Sequence, residues 1–268
     1  MTKKHMHLSP KNRQSEIIDI LHSKEYAEIP YLADYFNVSE MTVRRDIDQL
    51  ERINKVTKVY GGVRLKEPKK KIIEGSLDFR KGSNRTAKEA IAKVAADLIK
   101  DNDVVAFDAS TTALELSRAI KFKKKITVIT NNLNIAYELA DDPEITVILL
   151  GGFLRKSSLS VTGTMMDYYL DSIFIDKAFI SCKSFNYQDG MTDNIIDEGE
   201  AKQALIARSA KLYAIVDHSK INTRAFFRIC DAKDIDTLIT DKYPSFDEEQ
   251  LACLDDLRNN NIQIFLAD

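Results

Sequence analysis

The stretch Val38-Ser-Glu-Met-Thr-Val-Arg-Arg-Asp-Ile-Asp-Gln-Leu50 predicts a short helix with one apolar side and one basic side. Ser39 is a good N-cap, and Val43, Ile47 and Leu50 recur at i, i+4 and i+7, which places them on one face. Around a helix of 3.6 residues per turn, Arg45 points away from that face. Met41 and Arg52 point in roughly the same direction as Arg45, and Thr42 and Arg44 lie on the flanks of this polar face. The exposed surface near the start of this helix is therefore basic.

The residues around this helix complete a winged helix-turn-helix pattern. In chain order the sequence predicts a helix from Pro10 to about Ser23, a helix over residues 31 to 36, a turn at Asn37-Val38, a helix from Glu40 to Ile53, and a β-wing from Lys55 to Tyr60 that ends in Gly61-Gly62. The second helix of such a pair enters the major groove of DNA, with its N-terminal residues against the base edges. The candidate DNA-binding residues are Ser39, Glu40, Met41, Thr42, Arg44, Arg45, Lys58 and Tyr60.

The N-terminal segment, called the head below, differs from the rest of the chain in the sign of its net charge. Residues 1 to 71 carry 15 Lys and Arg against 10 Asp and Glu, whereas the remaining residues carry 24 against 31. Opposite signs in the two segments favour phosphate contacts by the head over a uniform solubilising surface. The alternative is a small three-helix bundle whose arginines are only solvated.

Length and composition indicate a two-domain protein without a membrane segment. The 268 residues are 44% hydrophobic, which suffices for substantial cores. No apolar run follows the first residues, and no stretch approaches the ~18 apolar residues of a membrane helix. Cys182, Cys230 and Cys253 lack CxxC pairing and are interpreted as buried free thiols in a reducing cytoplasm. We expect a cytoplasmic protein with no metal site and no cofactor.

A charged segment broken by Pro68 separates two predicted domains. The predicted boundaries are a winged helix-turn-helix domain over residues 8 to 63, a linker over 64 to 83, and a second domain over 84 to 268. Whether the linker is a flexible tether or packs on the second domain stays open.

From residue 84 the sequence alternates amphipathic helices with short apolar strands. The predicted helices cover residues 85 to 100, 113 to 120, 133 to 140, 198 to 209 and 247 to 259. The predicted strands cover residues 104 to 107, 126 to 129, 145 to 150, 178 to 181, 212 to 216, 237 to 239 and 262 to 266. Continuous apolar strands between such helices are typical of a mostly parallel, doubly wound sheet covered on both faces. The fold class is therefore α/β.

Polar and glycine residues cluster just after several of these strands. Open α/β sheets bind ligands beyond the carboxyl ends of their strands. A strand followed by hydroxyl residues at a helix start can direct N–H groups and hydroxyls at a phosphate. The candidate ligand-binding residues are Asp108, Ala109, Ser110, Thr111, Thr112, Thr130, Asn131, Asn132, Gly151, Gly152 and Lys220. Each loop alone is equally consistent with an ordinary helix cap or turn, and the shared pocket rests on their recurrence.

These residues resemble the DeoR-type transcriptional regulators. The similarity covers most of the chain and includes Val38-Ser39, Thr42 to Asp46, Leu50-Glu51, Gly61-Gly62, Asp108 with Thr111-Thr112, Thr130-Asn131, Gly151-Gly152 with Arg155 and Gly163, Ala178 to Ile180, Gly190 to Thr192, Glu200 to Lys202 and Asp217 to Lys220. The resemblance implies a sensor domain similar to ribose-5-phosphate isomerase and glucosamine-6-phosphate deaminase. It adds Arg155 and Lys202 to the predicted effector site.

Two functions of different classes follow. In the first, a homo-oligomer, dimer or tetramer, represses a carbohydrate-catabolic operon and leaves its double-stranded operator when a phosphorylated sugar binds, as the resemblance implies. In the second, the C-terminal domain is an active phosphosugar isomerase or deaminase that uses Asp108, Glu200 and Lys202. We expect the first and no enzymatic activity, because the sequence offers no evident full set of acid and base groups.

Overall fold

The computed structural model describes residues 9–24, 26–53, 55–59, 61–65 and 77–268, without the side chains of residues 11, 22, 23, 78 and 79. The chain divides into two compact units on either side of the boundary between residues 73 and 74. Within the described residues, no helix combines the length and apolar character needed to cross a bilayer.

The N-terminal unit consists of three helices and a small antiparallel sheet. Its elements are α1 (Pro10–Lys24), β1 (Tyr26–Glu28), α2 (Ile29–Phe36), α3 (Glu40–Arg52), β2 (Val56–Val59) and β3 (Gly62–Leu65). The strands are arranged in the order β1, β3, β2. The three predicted helices are confirmed, and Asn37 in the turn adopts the left-handed conformation. β1 was not predicted, because three residues between two helices give too short a pattern to read as a strand.

A buried ion pair holds α1 against α3. Arg13 Nε lies 2.5 Å from Asp46 Oδ2, and Gln14 Nε2 donates to Asp46 Oδ1 at 3.1 Å. The side chain of Asp46 is 4% exposed. Around this pair, Ile17, Leu32 and Val43 belong to one apolar core. The helix that carries the candidate DNA-binding residues is therefore fixed from its buried side by both charge and apolar contact.

The C-terminal unit contains seven α-helices and twelve strands among its described residues. In chain order they are α4 (Leu77–Gly82), α5 (Arg85–Asp97), β4 (Val104–Phe107), α6 (Thr111–Ala119), β5 (Ile126–Thr130), α7 (Leu133–Leu139), β6 (Ile145–Leu149), β7 (Phe153–Arg155), β8 (Ser160–Thr162), α8 (Met165–Leu170), β9 (Lys177–Ile180), β10 (Ser184–Asn186), β11 (Gly190–Asp193), α9 (Ile196–Ala207), β12 (Leu212–Ile215), β13 (Phe227–Cys230), β14 (Thr237–Asp241), α10 (Glu248–Asn259) and β15 (Gln263–Ala267).

Seven of these strands form one parallel sheet in the order β15, β14, β12, β9, β4, β5, β6. Alternating strand residues belong to two apolar cores: Val105 and Phe107 pack with α5, α6 and α7, whereas Ala106 packs with α8, α9 and α10. From β4 the chain continues to β5 and β6, and from β9 it continues in the opposite direction. The switch point lies between β4 and β9, where open sheets of this kind form their ligand crevice.

The α/β prediction with a parallel sheet is confirmed, although the smaller sheets were not predicted. β7 pairs with β8, and β10, β11 and β13 form a second antiparallel sheet. These strands have three or four residues and contain polar side chains, so their pattern does not stand out from that of a loop. α4 lies inside the segment interpreted as a linker, where the sequence left the packing open.

The three cysteines, Cys182, Cys230 and Cys253, are buried and free. This confirms the interpretation as buried thiols. Among the described residues, no group of three or more His, Cys, Asp or Glu side chains is arranged to hold a metal ion.

Candidate functional site

The first turn of α3 presents an exposed polar surface. Ser39 caps the helix by accepting from the Thr42 N–H at 3.3 Å, and the two hydroxyls lie 2.9 Å apart. Glu40 pairs with Arg44 across one helical turn at 3.4 Å. Arg45 is exposed and makes no ion pair or hydrogen bond within the described part of the chain. Met41 is 61% exposed. Arg45 is thus the cation of this turn that is available to another molecule.

The wing residue Lys58 is already occupied. Its Nζ lies 2.5 Å from Asp48 Oδ1 and 3.0 Å from Glu51 Oε2, and its backbone N–H donates to Glu51 Oε1 at 3.2 Å. These carboxylates raise the pKa of Lys58. A phosphate contact by Lys58 would have to compete with two acids of α3. Tyr60, the other predicted wing contact, lies outside the described residues.

At the carboxyl end of β4, a capped helix start meets a buried carboxylate. Ser110 Oγ accepts from the Ala113 N–H at 3.0 Å and donates to Asp108 Oδ1 at 2.7 Å. Asp108 and Thr112 are fully buried, while Ala109 and Thr111 are nearly so. Asp108 Oδ2 and Thr112 Oγ1 have no hydrogen-bond partner among the described residues. The first N–H groups of α6 also lack intrahelical acceptors. This turn therefore has unused donors and acceptors.

A buried lysine connects this carboxylate to β11. Lys202 Nζ, on α9, lies 2.5 Å from Asp193 Oδ2 and 3.6 Å from Asp108 Oδ2. Burial alone would lower the pKa of Lys202, but Asp193, Asp108 and Glu198 outweigh it and raise that pKa. Burial raises the pKa of Asp108 despite the nearby lysine. Asp108, Ser110 and Lys202, the last of which was suggested by the resemblance alone, thus lie close together.

Two further lysines lie beside this group. Lys220 Nζ donates to Ser181 Oγ at 2.9 Å, next to the end of β9, and lies 3.7 Å from Asp217 Oδ2. Lys88, on α5, is 4% exposed and donates to the carbonyls of Arg80 and Ser83. Burial first, and the charge of Lys220 second, lower the pKa of Lys88 to about 8. Lys88 and Lys220 therefore form a positively charged pair, and a bound anion would offset the repulsion between them.

The side chains at the end of β5 make local and hairpin contacts, although Asn131 Oδ1, like Asp108 Oδ2, has no hydrogen-bond partner among the described residues. Asn132 caps α7 through the Asn134 and Ile135 N–H groups and donates to the Ser158 carbonyl at 3.3 Å. Asn131 donates to the Val161 carbonyl at 2.9 Å, and Thr130 Oγ1 accepts from the Asn132 N–H at 3.1 Å. These residues attach the β7–β8 hairpin to the sheet.

Arg155 and the two glycines belong to the same hairpin region. Arg155 pairs with the buried Glu198 of α9, which also accepts from Ser158 at 2.9 Å and Ser160 at 2.5 Å. A Cβ on Gly152 would lie 2.4 Å from the Thr162 carbonyl, at a φ of +150°. Gly152 is therefore required by the close approach of β8. Gly151 has open space around it, with Tyr169 3.9 Å from its Cβ position.

Comparison with known proteins assigns both units. Residues 13–69 match a DeoR-like helix-turn-helix domain, and residues 83–242 match a DeoR C-terminal sensor domain. The HTH-type transcriptional regulator GolR of Listeria innocua is 38% identical over 87% of this chain and 91% of its own length.

The chain belongs to the DeoR family of transcriptional regulators. Another DeoR-like relative is the lactose phosphotransferase system repressor of Lactococcus lactis, which is 31% identical over 87% of this chain and 92% of its own length. Among solved structures, ribose 5-phosphate isomerase A of Neisseria gonorrhoeae matches with a TM-score of 0.39 and 16% identity. That match covers 51% of this chain and 53% of that one.

In this DeoR-family chain, several buried polar residues of the sensor unit were not predicted. Asp193, Glu198 and the hairpin serines gave no pattern that distinguishes them from surface residues. Lys88 did leave a signal. It lies three and seven residues before Ile91 and Ala95, both fully buried, so it occupies the apolar stripe of α5. A lysine at such a position needs a partner or a ligand.

Proposed function

We propose that this DeoR-family protein represses a carbohydrate-catabolic operon in the cytoplasm and leaves its operator when a phosphorylated sugar binds to the C-terminal unit. The observation that carries the sensor half is the start of α6, where Asp108 Oδ2 and Thr112 Oγ1 are buried without hydrogen-bond partners among the described residues. Buried polar atoms rarely remain without partners unless a ligand or water completes them. One relative is named as a repressor of a lactose phosphotransferase system, which supports the repressor and sugar assignments.

The phosphate end of the ligand would lie at the start of α6. The free N–H groups of the first helical turn and the Thr112 hydroxyl can donate to phosphate oxygens, and the helix dipole favours a negative charge there. Lys220 and Lys88 add positive charge, and the charge of Lys220 is close enough to contribute, after burial, to lowering the pKa of Lys88. A dianion would stabilise both ammonium groups.

The sugar end would lie towards Asp108 and Lys202. Asp108 Oδ2 is available to accept from a sugar hydroxyl, because Lys202 Nζ lies at 3.6 Å and is held more closely by Asp193. A ligand that carries both a phosphate and hydroxyl groups would therefore use atoms that inorganic phosphate leaves without partners. The remaining predicted residues, Thr130 to Asn132, Gly151, Gly152 and Arg155, would support the hairpin beside the ligand.

The head would read the operator through Arg45 and its neighbours. Helix-turn-helix proteins bind two half-sites as dimers, so we propose that a homo-oligomer contacts a palindromic or repeated operator. A sugar phosphate can release DNA only if it binds the DNA-incompetent arrangement more tightly.

The test is a titration of the full-length protein, bound to a duplex selected from a random library, with a panel of pentose and hexose phosphates. We expect one of them to dissociate the complex without being converted, as followed by nuclear magnetic resonance of the sugar. Conversion to an isomer or release of ammonia would instead support the enzyme hypothesis. Complexes that persist with every phosphate, together with no heat of binding, would contradict the sensor assignment.

The affinity for the phosphorylated ligand is expected to fall as pH rises above about 8. Lys88 has a pKa of about 8 in the free protein because it is buried beside Lys220, with Asp217, Glu115 and Arg80 also nearby. A bound dianion raises this pKa, so above pH 8 binding requires uptake of a proton and weakens by up to about tenfold per pH unit. Calorimetry between pH 7 and 9.5 measures the slope. Lys88→Met should remove it, and a pH-independent affinity in the wild-type protein would exclude Lys88 from the site.

A further inference from the structure

The junction between α4 and α5 is attached to the anion side of the sensor unit at several points. Lys88 Nζ donates to the Ser83 carbonyl at 2.5 Å and to the Arg80 carbonyl, both near the C-terminus of α4. Asn84 Nδ2 donates to Asp217 Oδ1 at 2.8 Å and to Ser219 Oγ at 3.0 Å. Asp217 and Ser219 lie in the loop that also carries Lys220. These contacts join α4, or the junction directly after it, to Lys88 or to the loop that carries Lys220.

An ammonium group has three N–H donors, and two of those on Lys88 bind the carbonyl of Arg80, in α4, and the carbonyl of Ser83, directly after α4. The third has no partner among the described residues. Because Lys88 is 4% exposed and close to Lys220, water and counterions do little to offset its charge. Without an anion the lysine that holds the end of α4 is thus electrostatically destabilised.

A second connection reaches the same helix from the sugar end. Arg80 Nη2 donates to the Ser157 carbonyl at 3.4 Å, in the turn between β7 and β8. That hairpin is held by Glu198, which lies one helical turn before Lys202 on α9. Both ends of the proposed ligand site therefore lead to α4 through described contacts.

We propose that Lys88 and Asn84 couple the anion site to α4, so that a bound phosphate group stabilises the attachment of α4 to the sensor unit. This inference rests on the proposed function. The anion favours the arrangement in which Lys88 is in place, and in that arrangement Lys88 also binds the carbonyl of Arg80, in α4, and that of Ser83, directly after it. By linkage, attachment of α4 must in turn strengthen anion binding. α4 is the first described helix after the segment that leads from the helix-turn-helix unit. How firmly α4 is attached therefore affects the segment that connects that unit to the sensor unit.

Hydrogen–deuterium exchange of the full-length protein with inorganic phosphate tests the coupling, with chloride at equal ionic strength as the reference. Two segments are followed: residues 110 to 114 report occupancy of the anion site, and residues 77 to 84 report attachment of α4. With phosphate at ten times its dissociation constant, we expect exchange in both segments to slow, by up to about tenfold.

The two segments separate the possible failures. Slower exchange over residues 110 to 114 with unchanged exchange over 77 to 84 overturns the coupling and leaves the anion site intact. No change in either segment overturns the proposed anion site itself. Slowing that spreads evenly over the whole C-terminal unit also overturns the coupling, because it indicates only global stabilisation.

Two variants sharpen the result. Lys88→Met should abolish the phosphate effect on α4, whereas Lys93→Met, on the exposed side of the same helix, should leave it unchanged. Asn84→Gly removes the amide contacts without backbone strain, because Asn84 has a φ of 49° that glycine adopts readily. We expect Asn84→Gly to keep the effect at residues 110 to 114 and to reduce it at residues 77 to 84. Wild-type coupling in both Lys88→Met and Asn84→Gly would overturn the assignment of these two residues.

Discussion

Replacing Arg45 by alanine is expected to weaken operator binding by about 5- to 150-fold, which corresponds to the roughly 1 to 3 kcal/mol carried by a bidentate arginine–guanine pair. Arg45 is exposed in the first turns of α3, and it has no partner within the described part of the chain. Its neighbour Arg44 is paired with Glu40 instead. Gel-shift titration at fixed salt on a selected duplex measures the loss.

The matched control for Arg45 is Arg52→Ala. Arg52 is an exposed arginine of the same helix that lies at its C-terminal end, away from the turn that enters the groove. We expect a smaller, sequence-independent loss for this variant. Arg45→Lys keeps the charge but not the two-pronged geometry and should fall between the wild type and Arg45→Ala. Equal losses for Arg45→Ala and Arg52→Ala would reduce the role of Arg45 to general charge.

Asp46→Ala is expected to destabilise the N-terminal unit by about 3 kcal/mol, because it leaves the buried guanidinium of Arg13 without its carboxylate. Both side chains are nearly buried, so solvent offers little compensation. Exchange of the backbone amides of α1 and α3, measured in the full-length protein, reports this change without requiring the two units to unfold together.

Asp48→Ala is the control for this variant. Asp48 lies on the same helix, but its side chain is 46% exposed and its partner Lys58 is equally exposed. Exposed pairs of this kind contribute at most about 1 kcal/mol. The buried pair has no special role in stability if Asp46→Ala and Asp48→Ala prove equally mild.

The predictions from the sequence were most successful where periodicity was strong. The apolar stripe of α3 and the continuous strands of the parallel sheet could be read directly, because both bury a repeating set of side chains. β10, β11 and β13 could not, since short strands with polar residues are defined by their neighbours in space and not by a local pattern. The same reason explains why Glu198 was not recognised as buried, whereas Asp46 lies three residues after Val43 and four before Leu50, so the periodicity of α3 did contain a signal for it.

The proposed effector site shows what residue type and spacing alone could not predict. Asp108 and Ser110 follow one strand and lie together, whereas Lys202 reaches Asp108 from helix α9 and was suggested only by the resemblance to the family. Asn131 and Asn132 have the same appearance in the sequence, yet their side chains donate to carbonyls of the β7–β8 hairpin, while Thr130 Oγ1 accepts from the Asn132 N–H. The difference depends on the insertion of β7 and β8 beside them, which single-strand patterns do not reveal.

The buried cysteines make the sensor unit chemically distinguishable from the head. The sequence contains three cysteines, and all of them lie in the C-terminal unit. Burial raises the pKa of Cys182 and Cys230 to about 12, so the reactive thiolate is scarce at neutral pH. A thiol-specific reagent would therefore modify the native protein only during transient openings of this unit. Its labelling rate therefore reports those openings, and the helix-turn-helix unit contributes no thiol to the signal.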